Sequence, residues 1–295
     1  MKPAPFEYAA PESVDEAATL LAEHGDEAKV LAGGQSLVPL LAFRLATPGM
    51  LIDLNRISDL EFVRHEGDRV VMGALARHAA VERMPGLATA CPMLAEGVSL
   101  IGHPAIRNRG TVGGSLAHAD PAAEWPAILL ALDGEVDVVS VSGRRTVRAE
   151  DLFETYFTTT LEPDEIVIEV RLTVPNGRFG STFVEVARRH GDFAIAGVGA
   201  VVGISDGVVG DARIVLIGVR DRPVRAGAAE DLLRGQPATD QAFAEAAEAV
   251  DRDIDPVSDV HGSSGYRRQV AKVLVRRALR AAADRAARRH HQGKG

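Results

Sequence analysis

The sequence predicts an α+β protein of two domains, and three observations carry that expectation. Short apolar strands alternate with an amphipathic helix up to about residue 55. Runs with β-branched alternation, as in antiparallel strands, then continue to about residue 177. Past the turn signal Asn176-Gly177, three strands are followed by three helices. The expected layout is a first domain over 1–177, built from subdomains of about 1–55 and 56–177. A smaller α+β domain follows over 178–289, with a three-stranded antiparallel sheet and helices, and residues 290–295 are expected to form a flexible tail.

Each element has its own signal. Ser13 with Glu16 three residues on reads as a capping box. Val14, Ala17, Ala18, Leu21 and Ala22 give one apolar helical face, stopped by Gly25. Lys29 to Ala32 is a short strand running into Gly33-Gly34. Leu37 to Leu45 reads as a helix and Met50 to Leu54 as a strand, completing a βαβ-like unit. Farther on, Arg69 to Gly73, Val136 to Val141 and Glu165 to Leu172 read as strands; Ala79 to Met84, Pro92 to Ile101 and Pro126 to Leu132 read as helices. In the second domain Thr182 to Arg188, Ile195 to Ile204 and Ala212 to Val219 are expected strands. Helices are expected near 226–234, 239–250 and 263–289.

Composition narrows the function. With 46% hydrophobic and 25% charged residues in 295, the chain is an ordinary globular protein with room for two or three cores. Its single cysteine, Cys91, excludes an internal disulfide and any iron–sulfur cluster held by this chain alone. The amino-terminal stretch lacks a signal-peptide core and no apolar run reaches 18 residues, so a cytoplasmic protein without a transmembrane segment is expected. The net charge of −8 hides an asymmetry: residues 266–295 carry ten Lys/Arg against Asp284 alone, leaving −17 on the remainder. An acidic body does not favour nucleic acid. The basic segment suits an acidic partner or the body itself.

Two glycine pairs hold the most chemistry. One lies in Val30-Leu31-Ala32-Gly33-Gly34-Gln35-Ser36-Leu37, the other in Thr111-Val112-Gly113-Gly114-Ser115. Glycine admits positive φ and close ligand approach, and successive N–H groups in such a turn make an anion site. Each pair alone fits a tight turn equally well; two pairs, each with a hydroxyl beside it, suit a ligand with adjoining phosphates. Neither pair belongs to a Walker A or Rossmann fingerprint. His103, His118 and Asp120 have no metal-ligand spacing, and no metal is expected. His118 reads as a hydrogen-bonded residue behind the second glycine pair, and His290-His291 as part of a frayed tail. Arg107 and Arg109 suit either phosphate or a salt bridge. No catalytic triad or nucleophile motif is present.

The block Pro104 to Pro126, together with Leu31 to Leu37 and Arg188-Arg189-His190-Gly191-Asp192-Phe193-Ala194, resembles the FAD-binding medium subunits of molybdenum hydroxylases, the carbon monoxide and xanthine dehydrogenase family. Similarity of pattern runs from Phe6 to the C-terminal helix. The resemblance implies a PCMH-type FAD-binding domain with noncovalent FAD. Ala32 to Ser36 would wrap the pyrophosphate, with Val30 and Leu37 flanking it and Thr111 to Ser115 forming the second half of the cradle. Glu124 would bond the adenosine side, and Ile101 and Val167 would line the adenine or ribose pocket. Asp192 and Phe193 would lie against the isoalloxazine ring. Gln35 stands where the family commonly has histidine, Ser115 where it has asparagine, and Glu185 where many relatives have lysine.

The same resemblance implies an electron-transfer oxidoreductase subunit whose own residues do no catalysis. Substrate would be oxidised at a molybdenum cofactor on a large partner, and electrons would reach this FAD through [2Fe-2S] clusters on a small partner, within a dimer of heterotrimers. Two other readings stay open on the residues: a stand-alone FAD reductase similar to enolpyruvyl-glucosamine reductase, and an assembly or interaction protein without FAD. The first lacks an identifiable proton donor, and the second sits poorly with intact glycine pairs.

Overall fold

A small all-parallel sheet opens the chain in the computed structural model, which describes residues 2–292. Strands β1 (Glu7–Ala9), β2 (Ala28–Leu31) and β3 (Met50–Asp53) lie in the order β1-β3-β2. Helix α1 (Val14–His24) joins the first two and α2 (Leu37–Ala42) the next two, as parallel pairing requires. The capping signal is realised: Ser13 Oγ accepts from the Glu16 N–H at 3.2 Å, while Glu16 Oε2 reaches back to the Glu12 N–H at 3.0 Å. Strand β1 is absent from the sequence reading because its three residues, Glu7-Tyr8-Ala9, are too few and too exposed to show a pattern.

The second layer is a five-stranded antiparallel sheet, β4 (Val63–Glu66), β5 (Arg69–Gly73), β6 (Glu135–Ser140), β7 (Gly143–Arg148) and β10 (Ile166–Thr173), ordered β4-β5-β10-β6-β7. A short hairpin of β8 (Phe153–Thr155) and β9 (Thr158–Thr159) follows β7 in the chain. Both edge strands are polar and exposed, which is why alternation fails to reveal them. The first half of the chain also contributes helices α3 (His78–Glu82), α4 (Leu87–Ala90), α5 (Pro92–Leu100), α6 (Pro104–Arg107), α7 (Val112–His118), α8 (Glu124–Ala131) and α9 (Ala149–Leu152). Helix α8 is buried along its whole length, and Trp125 is among the largest fully buried side chains.

The third sheet, β11 (Phe179–Ala187), β12 (Ala194–Ser205), β13 (Val208–Ile217) and β14 (Val224–Arg225), is antiparallel. Three long strands agree with expectation, but β14 adds a fourth, two residues too short for any pattern. Strand β13 also begins at Val208 rather than Ala212. Asp206-Gly207, at φ 52° and 80°, makes a two-residue hairpin turn whose Asp-Gly signature is legible in the sequence. One face of this sheet meets α5 and α8. The other meets α10 (Gly227–Leu233) and α12 (Ser264–Gln292), with α11 (Asp240–Ala249) packed on both of those helices.

Helix α12 carries the basic segment, and the body is what it docks on. Its apolar stripe, Ala271, Leu274, Val275, Ala278, Leu279 and Ala282, is buried against the sheet. The approach is close enough that a Cβ on Gly180 of β11 would lie 2.6 Å from the Ala286 nitrogen. Its cations pair across the molecule: Lys272 with Glu248 and Asp251, Arg280 with Asp240, and Arg285 with Glu96 of α5. Arg289 donates to the Thr89 and Ala90 carbonyls at 2.5 and 2.9 Å. The expected tail over 290–295 is helical as far as Gln292, and 293–295 lie outside the described residues. Among the described residues, no helix is long and apolar enough to cross a membrane.

Candidate functional site

The first glycine segment leaves β2 and enters α2 through a turn in which Gly34 sits at φ +72°, a conformation natural to glycine. Among the described residues, the backbone N–H groups of Gly33, Gly34, Gln35, Ser36 and Leu37 donate to no protein acceptor. Gln35 stabilises the turn itself, its amide donating to the Gly33 carbonyl at 3.0 Å. Five consecutive uncommitted amides are a strong donor surface, since buried N–H groups in folded proteins are nearly always paired.

The second segment differs from expectation. Gly113 and Gly114 lie in the first turn of α7, with Thr111 as N-cap accepting from the Gly114 N–H at 3.1 Å. The Val112 and Gly113 N–H groups donate to the carbonyls of Ala76 and Ala74, and that of Ser115 to Thr111. The N–H groups from Val112 to Ser115 are therefore committed within the protein, because a capping threonine ahead of Val112 and Leu116 makes a helix start rather than an open loop. What this segment offers is close approach and the Ser115 hydroxyl. A Cβ on Gly113 would stand 2.7 Å from the Ala74 Cβ.

The fold brings the two segments together. A Cβ on Gly33 would lie 2.8 Å from the Gly110 Cα, and one on Gly114 would lie 3.6 Å from the Ala32 Cβ. A polar clip holds them there. Asn55 donates to the Ala32 carbonyl at 2.8 Å, and Arg77 donates both to Asn55 Oδ1 at 2.6 Å and to the Arg109 carbonyl at 2.5 Å. Neither Asn55 nor Arg77 figures in the sequence reading, and no motif marks them, because they act across 22 and 32 residues of chain.

The histidine behind the second segment is His78, and not His118 as expected. The Trp125 indole N–H donates to His78 Nδ1 at 2.9 Å, and a Cβ on Gly110 would meet the His78 ring at 2.7 Å. Burial, aided by Arg107 and Arg77, holds the imidazole down at about 3, so it is neutral. His118 instead lies against the Phe157 ring, centroids 5.2 Å apart. Arg107 is buried and committed to Glu82 and to the Ile101 and Gly102 carbonyls, which settles it as structural.

A cavity of about 790 Å³ lies where the first domain meets the third sheet, walled in part by Asp120, Phe157, Arg188, Asp192 and Phe193. Phe193 is 65% exposed and so is no core aromatic. Its turn is fixed by Gly191 at φ +87°, where a Cβ would lie 2.9 Å from the Gly102 carbonyl carbon. Ile101, half-buried at the end of α5, is thus brought near Asp192 and Phe193. Val167 is buried in the sheet core beside Ile168, whose carbonyl accepts from Ala74 beneath Gly113. Glu124 opens α8 at 6% exposure. Burial, with the Glu185 charge behind it, raises its carboxyl to about 8, and burial alone raises Glu185 to about 7.

Two clasped glycine segments, one presenting free amides, define a protein with a two-loop surface suited to an anionic ligand. Comparison with known proteins makes this specific. The family model for the FAD binding domain in molybdopterin dehydrogenase matches residues 4–176, and that for the CO dehydrogenase flavoprotein C-terminal domain matches 181–282. The 6-hydroxypseudooxynicotine dehydrogenase complex subunit alpha of Paenarthrobacter nicotinovorans is 43% identical over 97% of each chain. The nicotine 6-hydroxylase medium subunit of the same organism is 42% identical over 95% of this chain and 98% of its own. A solved carbon monoxide dehydrogenase from Hydrogenophaga pseudoflava superposes with a TM-score of 0.94 at 40% identity, over 97% of this chain and 99% of that one. The chain belongs to the family of FAD-binding medium subunits of molybdenum hydroxylases. It is an oxidoreductase component, and the stand-alone reductase and FAD-free readings fall away.

Proposed function

We propose that this chain holds FAD across its two glycine segments and relays electrons from partner subunits to an external acceptor. The observation that carries the reading is the run of five unpaired amides, Gly33 to Leu37, clasped against Thr111 to Ser115. Ala32 to Ser36 wrap the pyrophosphate and Val30 and Leu37 flank it, with Leu31 packed beneath. Thr111, Val112, Gly113 and Gly114 close the other side by shape, and Ser115 by its hydroxyl. Glu124 serves the adenosine side, with Ile101 and Val167 at the adenine or ribose; Asp192 and Phe193 stand at the isoalloxazine ring. Bound FAD supplies one- and two-electron chemistry that no side chain here provides. The protein's part is to fix the cofactor and control access at Phe193.

Substrate oxidation belongs to a large molybdenum-cofactor subunit, and [2Fe-2S] clusters to a small one, in a cytoplasmic dimer of heterotrimers. The single cysteine supports that division, since the chain cannot ligate a cluster alone. The domains run over 1–177, divided near 55, and 178–289. A visible spectrum of the purified chain tests the reading: flavin absorbance that survives gel filtration is expected. Its absence after incubation with FAD refutes the reading.

A further inference from the structure

Glu185 is an acid placed where nothing yet described requires it, and its charge acts on Glu124, the acid given above to the adenosine side of FAD. Glu124 is buried at the start of α8, where its carboxyl accepts from its own backbone N–H. Glu185 lies on β11 opposite Gly197 of β12, and its Oε2 is buried without any hydrogen-bond partner. On the same strand Phe183 packs into the core shared with α8, while Val184 and Val186 face the helices on the opposite side. Alternation therefore points Glu185 toward α8, where its charge acts on Glu124. The two acids sit between segments that wall the cavity: Asp120 to Ala122 just before Glu124, and Arg188 to Ile195 just after Glu185.

Among the described residues, no cation is among the charges that act on either acid. From the α7–α8 connection Asp120 adds further negative charge on Glu124, and His118 acts on Asp120. Helix α5 contributes Glu96, committed to Arg285 and Thr182, and β13 contributes Arg213, committed to Asp133. Strand β12 places Gly197 against Glu185. Arg188 and Arg189 perturb neither acid. Two buried carboxyls without a counter-ion cannot both ionise cheaply, and they titrate as a coupled pair.

We infer that Glu124 and Glu185 hold one proton between them, and that Glu185 takes up a second from solvent when FAD binds and donates it in a hydrogen bond to the cofactor. The inference rests on the FAD reading above. A dinucleotide brings two phosphate charges and excludes water, and both effects disfavour the remaining carboxylate. The unpaired Oε2 gains a partner, the pair passes from −1 to neutral, and no covalent bond changes.

The test is calorimetric titration of the full chain, freed of FAD, with FAD at pH 7.5 in two buffers of different ionisation enthalpy. Uptake of about one proton per FAD is expected, with Kd rising up to about tenfold per pH unit above neutrality. Glu185→Gln should abolish the uptake and flatten that dependence, whereas Glu124→Gln should retain uptake because Glu185 still titrates. FAD binding without proton uptake, or uptake that survives Glu185→Gln, overturns the inference and leaves the FAD reading standing. No FAD binding by the unaltered chain overturns both.

Discussion

Replacing Gly33 with alanine tests the clasp between the glycine segments with a single methyl group. The new Cβ would stand 2.8 Å from the Gly110 Cα and closer still to the Arg109 carbonyl oxygen. Carbon atoms in contact prefer about 3.5–4.0 Å, so the segments must part by about 1 Å. Both obstructing atoms are backbone, and the Arg77–Asn55 clip holds them, so no rotamer change relieves the clash. Overpacking of this kind costs about 1–3 kcal/mol of stability. The effect on FAD is larger in kind. Hydrogen bonds to a charged group contribute about 1.5–3 kcal/mol each, and displacing the amide run by about 1 Å forfeits at least one of them. That predicts FAD affinity lower by about 10- to 150-fold. Flavin fluorescence titration gives Kd, and circular dichroism with thermal melting reports whether the chain stays folded. A folded Gly33→Ala protein with unaltered FAD affinity would refute the claim that the two segments close on one ligand.

Other expectations follow from the same geometry. Gly114→Val should clash with Thr111 Oγ1, 2.7 Å from the added Cβ, and sharply lower FAD content in a soluble protein, as read from the absorbance ratio of flavin to protein. Phe193→Ala should open the cavity and raise iodide quenching of bound-flavin fluorescence; unchanged quenching would remove Phe193 from the cofactor's surroundings. Arg285→Ala strips Glu96 of its guanidinium partner between α5 and α12 and should lower stability by about 1–3 kcal/mol, measured by urea denaturation. Asp259 is held at about 2, below its ordinary 3.8, chiefly by the hydrogen bond from Arg267. Because its folded value is depressed, this stabilisation is present above pH 3.8 and lost as pH falls through about 2. Melting temperatures of the unaltered chain and Asp259→Asn should therefore differ above pH 3.8 and converge near pH 2; a constant gap would contradict the assignment.

By itself the sequence determined the local events. Ser13 and Glu16 are three residues apart, so the capping box follows from chemistry already adjacent in the chain. Arg69 to Gly73 shows its strand in the apolar, β-branched run Val70-Val71-Met72, and the two glycine pairs announce themselves by composition. The resemblance of three ordered motifs was enough to indicate the family. Where local signals were short or polar, as in β1, β7 and β14, burial and pairing decided the element instead.

Only the tertiary structure decided how those pieces meet. It committed the Val112 to Ser115 amides to Ala74, Ala76 and Thr111, leaving the free donors on the first segment alone. It chose His78 over His118, because the Trp125 indole comes within bonding distance of His78 from 47 residues away. It folded the basic helix back on the acidic body, and it brought the charge of Glu185 to bear on the buried Glu124. Each of these outcomes depends on contacts between residues distant in sequence, where no spacing rule operates and close packing selects the partner.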